Sequence, residues 1–507
     1  MKLERTKNTV RNIFFGWIYR ILTIILPFFT RTAILYVLGT EYLGLGSLFS
    51  SLLSFLALAE AGFGTAMIYS MYKPISENND SLICALLNQY RRYYRIIGTI
   101  ILTIGLLLMP FLRYLIKGDV PADVNLYVLY AMYLANTVSS YFLFAYKGSV
   151  LTAYQRSDVD SKINVVVVLT QYAIQIVAIL AFRSFYVYTL CLPVATIVTN
   201  ILRYLAVKKM YPNLVPKGEV PEQQKKDITK KVKALIGTKL NTVVLNASDN
   251  IVMSAFLGLT VIAIYNNYYY IMSALTGFLG ICYTSMTAGL GNSLATETKA
   301  KNYNDFLKFS FINAWLVGWC SICLVCLYQP FMLIWTGEDL MFPFYMVLLI
   351  AVYFYLYLMR KIPVIYKDAG GIWWEDRFRP YVCMAVNLVS NIITVQLIGI
   401  AGIVISTILS LLISIPWENY TIFKYIFHTN SKEYYKKMAV YIILTIVVGL
   451  VTWLACMSFD YSVLGFMIRA AICIIIPNTI WIICFHKLPE YKEAIQLFKR
   501  LVKRKKT

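Results

Sequence analysis

Apolar residues run through this chain in blocks long enough to cross a bilayer, and polar residues collect between the blocks. With a ruler of about 20 residues per crossing, the pattern predicts fourteen spans. They fall near 13–38, 43–68, 93–116, 125–147, 163–182, 185–206, 238–257, 262–286, 306–328, 342–360, 381–398, 400–423, 438–458 and 462–485. The longest polar interruption, 207–236, is rich in Lys, Pro and Gln and predicts a basic cytoplasmic linker. It separates a six-span lobe over 1–206 from a second six-span lobe over 237–427. Two last spans and a basic tail follow over 428–507.

The two sixes carry matching landmarks. Leu38-Gly39 closes the first span, and Leu257-Gly258 closes the seventh, 219 residues later. Tyr146-Lys147 ends the fourth span, and Tyr366-Lys367 follows the tenth, 220 residues later. Two landmarks at nearly one offset point to an internal repeat. An even number of spans per copy inserts both copies in the same direction. The pattern therefore predicts an all-α membrane protein whose two lobes are related by a pseudo-two-fold axis along the membrane normal, with a cavity between them.

Composition agrees with this pattern. Of 507 residues, 59% are hydrophobic and 14% charged, and the mean hydropathy is +0.65. No soluble core of this length hides so much apolar surface. The net charge of +22 takes its meaning from placement. With the N-terminus inside, Arg113, Lys117 and Arg183 fall at the outer face and Arg20, Arg31 and Arg469 within spans. The other Lys and Arg sit on or near the inner side. Outer loops instead carry Glu41, Asp119, Asp123, Glu338, Asp339 and Asp460. This positive-inside asymmetry predicts a multi-pass protein with both termini cytoplasmic, and it leaves no case for nucleic acid as a partner. Anionic inner-leaflet lipids are the expected partner of the basic segments. The tail, with Tyr491, Ile495, Phe498 and Leu501 among lysines and Arg504, reads as a basic amphipathic helix on that leaflet. The first apolar run is too long for the core of a cleavable signal peptide.

Charges inside the spans are the candidate chemistry. Arg20 and Arg31 lie eleven residues apart in span one. At roughly 100° per residue they share one helix face, about 16 Å apart along the axis. Either they snorkel to an interface or they line an anion path. Pro27 sits between them and is a candidate hinge, because proline removes a backbone hydrogen bond. Glu60 lies deep in span two, among the small residues Ala59, Ala61, Gly62 and Gly64. Asp249 in span seven follows Thr30 by 219 residues, next to the repeat position of Arg31. Glu60 and Asp249 are candidates for ion coupling or gating, with structural ion pairing as the alternative. Glu418, near the cytoplasmic end of span twelve, reads as structural, and Arg469 stays open.

Span eight opens with Tyr265-Asn266-Asn267-Tyr268-Tyr269-Tyr270. Tyr265 and Tyr269 share a face with Met272 and Thr276, and such rings suit a sugar. An interfacial tyrosine belt is the simpler account of the same pattern.

Several chemistries find no support. Cys320, Cys323 and Cys326 form CxxCxxC, but the fourth cysteine of an iron–sulfur run is missing. On one helix the three also point about 60° apart in succession. The ten cysteines read as small apolar packing residues. No phosphate-binding GxxxxGK[ST] occurs, and the two histidines, His428 and His486, build no metal site or triad. No metal and no cofactor are expected. Every outer loop is short, which disfavours a membrane glycosyltransferase or polymerase, and no enzyme activity is expected.

The chain resembles the polysaccharide, or Wzx-type, repeat-unit flippases of the multidrug/oligosaccharidyl-lipid/polysaccharide (MOP) exporter superfamily. The resemblance rests on the arginine-bearing first span, Leu38-Gly39-x-x-Tyr42-Leu43-Gly44, Glu60-Ala61-Gly62-Phe63-Gly64, Asp249-Asn250-Ile251-Val252 before Leu257-Gly258, and Asp376-Arg377-x-Arg379-Pro380. It implies a MATE-like fold in a bacterial cytoplasmic membrane. The implied activity is movement of undecaprenyl-pyrophosphate-linked oligosaccharide to the outer leaflet by alternating access, coupled to H+ or Na+. It implies that Arg20 and Arg31 handle the pyrophosphate, and that the polymerase and glycosyltransferases of polysaccharide synthesis are partners. The alternative is a cation-coupled multidrug or metabolite exporter of the same fold, whose cavity should be acidic.

Overall fold

The structure is a computed structural model that describes residues 5–60, 62–118 and 120–504. Ala61, Asp119 and the residues beyond Arg504 lie outside the described residues, as do the side chains of Lys239, Phe498 and Leu501. Every regular element among the described residues is helical. In chain order the α-helices are α1 Arg5–Val37, α2 Thr40–Leu56, α3 Phe63–Ser76, α4 Asp80–Leu108, α5 Leu126–Phe142, α6 Gly148–Ala153, α7 Ser157–Leu180, α8 Phe185–Met210 and α9 Glu222–Phe256. They continue as α10 Leu259–Thr296, α11 Lys299–Thr336, α12 Phe344–Met359, α13 Lys361–Ala369, α14 Arg379–Ile398, α15 Ile400–Ile422, α16 Lys432–Met457, α17 Val463–Phe485 and α18 Pro489–Arg504.

Each of the fourteen expected spans falls on helical segments, the second and fourth on broken ones. Among the described residues, eleven helical segments are long and apolar enough to cross a membrane, and a bent pair around Phe142 makes a twelfth. α9 and α10 occupy the seventh and eighth positions. The chain is a multi-pass membrane protein. Two expectations change in detail. Residues 222–236 of the expected linker are the first four turns of α9. The second span is not one helix: α2 tightens into a 3-10 turn over Ala57–Glu60, and Gly62 (φ 78°) takes a left-handed conformation before α3. A side chain is strained at that φ, so the glycine permits the break.

The chain forms two compact units that meet in sequence at Ala263 and Ile264. In the first, α1 lies along α7, α7 and α5 pack on α8, and α9 packs on α2. α9 is also fastened at its C-terminus. The Lys117 backbone N–H donates to Ser254 O at 2.9 Å, and Lys117 Nζ donates to Phe256 O at 2.7 Å. A cation here satisfies carbonyls that the helix end leaves open. At the other end of the unit a separate core gathers Met67, Met71, Ile83, Leu87, Val150 and Val207.

In the second unit α11 is the axis, packed by α12, α16, α17 and α18. An aromatic core of Phe306, Phe311, Tyr366, Phe427, Tyr441, Trp481 and Phe485 surrounds its first half. Trp315 stacks on Trp481 with centroids 6.2 Å apart. Tyr491 of α18 stacks on Trp315 at 6.0 Å, so the tail helix rests part of its apolar face on its own chain.

Each unit holds a buried ionic cluster, and the repeat landmark Lys367 belongs to the second, while its counterpart Lys147 is buried on a carbonyl. In the first unit Asp158 has no exposed surface and pairs with Arg11 and Arg156 at 2.9 Å. Lys147 is buried and donates to Leu214 O at 2.8 Å. In the second, Lys367 Nζ lies 2.8 Å from Asp376, which Arg379 grips at 2.7 Å. Arg379 and Arg360 both reach Glu418, at 3.0 and 2.6 Å. Glu418 is a structural partner, as its sequence position suggested. Burial alone would raise Asp376, but hydrogen bonding and charge from Arg379, joined by Lys367, hold its carboxyl below the usual range.

Candidate functional site

A cavity of about 490 Å³ opens within the first unit. Its walls come from α1, α2, α5, α8 and α9. α2 contributes Ser47, Ser50, Ser51 and Ser54; α1 contributes Arg31; Tyr133, Tyr188 and Asn250 come from α5, α8 and α9. The local reasons are simple. The serines recur at i, i+3, i+4 and i+7, which is one face of a helix. Small side chains leave room beside them, and Gly46 packs under the Tyr133 hydroxyl at a distance where a Cβ would clash. Asn250 Nδ2 donates to Ser51 Oγ at 2.9 Å, which joins α9 to α2 at this wall. Tyr42, another lining residue, donates its hydroxyl to the Asp123 carboxylate.

The lining therefore combines one guanidinium with hydroxyls and an amide. Arg31 is half-buried and shares the cavity lining with Tyr188. Such a surface offers donors to an anion and hydrogen-bonding partners to a polyol.

The other expected site residues take different places. Arg20 is exposed and is not part of the cavity wall, so the shared helix face does not bring both arginines to this site. Pro27 lies inside an unbroken α1, where Thr30 Oγ1 donates to its carbonyl at 3.1 Å. Glu60 stands at the break between α2 and α3. Its Oε1 accepts from Tyr94 at 2.8 Å and its Oε2 from Tyr141 at 3.1 Å, while Tyr90 donates to Tyr94 at 2.9 Å. This carboxylate with a three-tyrosine shell is separate from the Arg31 cavity. Asp249 is buried on α9 beside Asn250 and belongs to the same unit as Arg31. Tyr265 and Tyr269 lie on α10 in the second unit, with rings stacked at 6.0 Å. Tyr265 is buried and Tyr269 half-buried.

The serine face of α2 and the Asn250 contact were not picked out from the sequence. The serine spacing was a legible signal in an apolar span. Tyr133 and Tyr188 carried none, because their helices meet α2 only after folding.

No family model matches the chain, and no curated protein matches it. Solved structures do match its fold. The lipid II flippase MurJ in an inward closed conformation superposes with a TM-score of 0.65 at 14% identity, over 94% of this chain and 99% of the other. An inward-facing multidrug resistance MATE family transporter of the MOP superfamily gives 0.61 at 15% identity, over 80% and 98%. The Vibrio cholerae MATE transporter VcmN in its bent form gives 0.53 at 12% identity, over 83% and 97%. At these identities the likeness is one of fold: the chain is folded as these solved structures are.

Proposed function

We propose that this protein is a flippase for lipid-linked oligosaccharide, carrying undecaprenyl-pyrophosphate-linked repeat units across a bacterial cytoplasmic membrane for surface polysaccharide synthesis. The observation that carries the reading is Arg31 on the wall of a cavity lined by serines, tyrosines and Asn250. A guanidinium presents a fork of donors that matches phosphate oxygens. Hydroxyls and an amide around it suit the sugar that follows the phosphate. The fold likeness to a lipid II flippase supports a lipid-linked cargo.

Arg31 takes the pyrophosphate role, with Arg20 as an outlying cation on the same helix. Glu60, held by Tyr94 and Tyr141, takes the coupling role for H+ or Na+, and Asp249 is the second candidate. Tyr265 and Tyr269, outside this cavity, are the remaining candidates for a glycan contact, Tyr269 being the more accessible ring. Pro27 lets α1 bend between states. The multidrug reading has the MATE likeness in its favour, but an arginine on the cavity wall repels cationic drugs.

The test is flipping of a fluorescent undecaprenyl-pyrophosphate oligosaccharide in proteoliposomes. The wild type should move it, and Arg31→Ala should abolish most of the movement. Equal rates in the two proteins would remove the pyrophosphate role of Arg31. Efflux of cationic dyes without lipid movement would replace the flippase reading with the multidrug one.

A further inference from the structure

Three buried thiols in the second unit come from three different helices. Cys326 lies on α11, Cys456 at the end of α16 and Cys473 on α17, and their sulfurs all lie within 4.8 Å of one another. None of the three is in a disulfide. Cys323, one turn before Cys326, packs against the same cluster, whose other members are Ile322, Val448, Leu327, Leu444, Trp453, Ile472 and Ile480. The surroundings are thus apolar, and sulfur is the ligand they offer.

One charge stands beside the thiols. Arg469 is four residues before Cys473 on α17, hence on the same helix face. It is buried. Arg469 Nη2 donates to Phe459 O and its guanidinium lies 4.6 Å from the Tyr461 ring, yet its buried Nε makes no hydrogen bond among the described residues. A buried arginine is costly without a compensating negative charge.

We propose that Cys326, Cys456 and Cys473 form a trigonal thiolate site for a soft d10 cation, with Cu(I) as the ion that fits best. Thiolates select soft metals, and a set of three favours Cu(I) over Zn(II), whose structural sites take four ligands. All three thiols release their protons on binding, since the thiolate and not the thiol is the ligand. Cu(I) and Arg469 then offset two of the three thiolate charges. Arg469 is the positioning and balancing residue. The bound ion would pin α11, α16 and α17 together. The CxxCxxC run is not the site, since Cys320 takes no part in the three-sulfur cluster.

The test uses the full chain, reduced and purified in detergent without oxygen, titrated with Cu(I) against a Cu(I)-specific chelator. One equivalent should be retained, X-ray absorption should show sulfur neighbours only, and the melting temperature should rise on loading. Replacing all three cysteines by serine should remove the retained copper, while Cys191→Ser and Cys484→Ser should leave it. Arg469→Gln should weaken binding about 10- to 100-fold, as second-layer partners of metal sites do. Where the triple variant folds poorly, Cu(I) protection of these thiols from a maleimide in the unaltered chain gives the second reading. Failure to hold Cu(I) against the chelator, retention by the triple serine variant, or a disulfide among the three in the native protein would overturn the proposal.

Discussion

Asn250 on α9 donates a hydrogen bond to Ser51 on α2 at 2.9 Å, and both residues line the cavity that contains Arg31. The helix that opens the second sequence repeat is therefore a wall of the first compact unit. Asn250→Ala should loosen this wall. Loss of one hydrogen bond costs about 0.5–1.5 kcal/mol, so the melting temperature should fall by a few degrees while the substrate affinity falls further. A variant with unchanged affinity would take Asn250 out of the site.

The two arginines of α1 should separate in function. Arg31 lines the cavity and Arg20 does not. A hydrogen bond to a charged group contributes about 1.5–3 kcal/mol, or roughly 10- to 150-fold. Arg31→Ala should slow flipping within that range, and Arg31→Lys should recover part of it. Arg20→Ala should change the rate less than about threefold. Reversal of that order in a proteoliposome assay would put the anion path elsewhere.

Glu60 has two tyrosine donors on its two oxygens. Glu60→Gln keeps one acceptor oxygen and removes the charge. Transport should then lose its response to an imposed proton or sodium gradient, with stability lowered by about 1–3 kcal/mol for the broken bond. Tyr94→Phe should lower stability similarly and preserve the gradient response. If Glu60→Gln responds to the gradient as the wild type does, Glu60 is a structural clasp at the α2–α3 break.

Asp376 is 2% exposed and bridges Lys367 and Arg379. Its carboxyl is held below the ordinary range, so the folded state binds that proton less readily than the unfolded chain. The stabilisation is present above the ordinary aspartate range, near pH 3.9, and is lost as pH falls through the lower folded value. Asp376→Asn should cost about 3–5 kcal/mol, since it leaves buried cations with one fewer partner, and it should flatten the acid limb of the melting curve. An unchanged acid limb would place the acid sensitivity in another group.

Pro27 leaves α1 continuous. Pro27→Ala restores a backbone hydrogen bond to Thr23, so the melting temperature should hold or rise. The transport rate should fall if α1 bends there during the cycle. A rate equal to wild type would assign the bend to another position, and the Gly62 break is the next place to look.

The order and approximate number of the spans were legible in the sequence, because bilayer thickness sets the length of an apolar helix and no partner is needed to read it. The identities of the isolated charges inside the spans, Arg20, Arg31, Glu60 and Asp249, followed from the same rule. Span seven shows where such reading stops. Apolar periodicity placed a helix near 238–257, but not the start of α9 at Glu222 or its attachment to α2 through Asn250 and Ser51.

Tertiary structure alone decided which polar groups share a space. Two arginines on one helix face were equivalent in sequence, and neighbouring helices enclose only Arg31 in the cavity. Glu60 gained its hydrogen-bonded surroundings from Tyr90, Tyr94 and Tyr141, which lie on two other helices. The cysteines make the same point. Spacing along α11 groups Cys320, Cys323 and Cys326, which one helix cannot converge. Packing of α16 and α17 brought Cys456 and Cys473 to Cys326 instead. Local periodicity governs what one helix exposes, while a site needs side chains from several, and their meeting depends on packing that no single segment encodes.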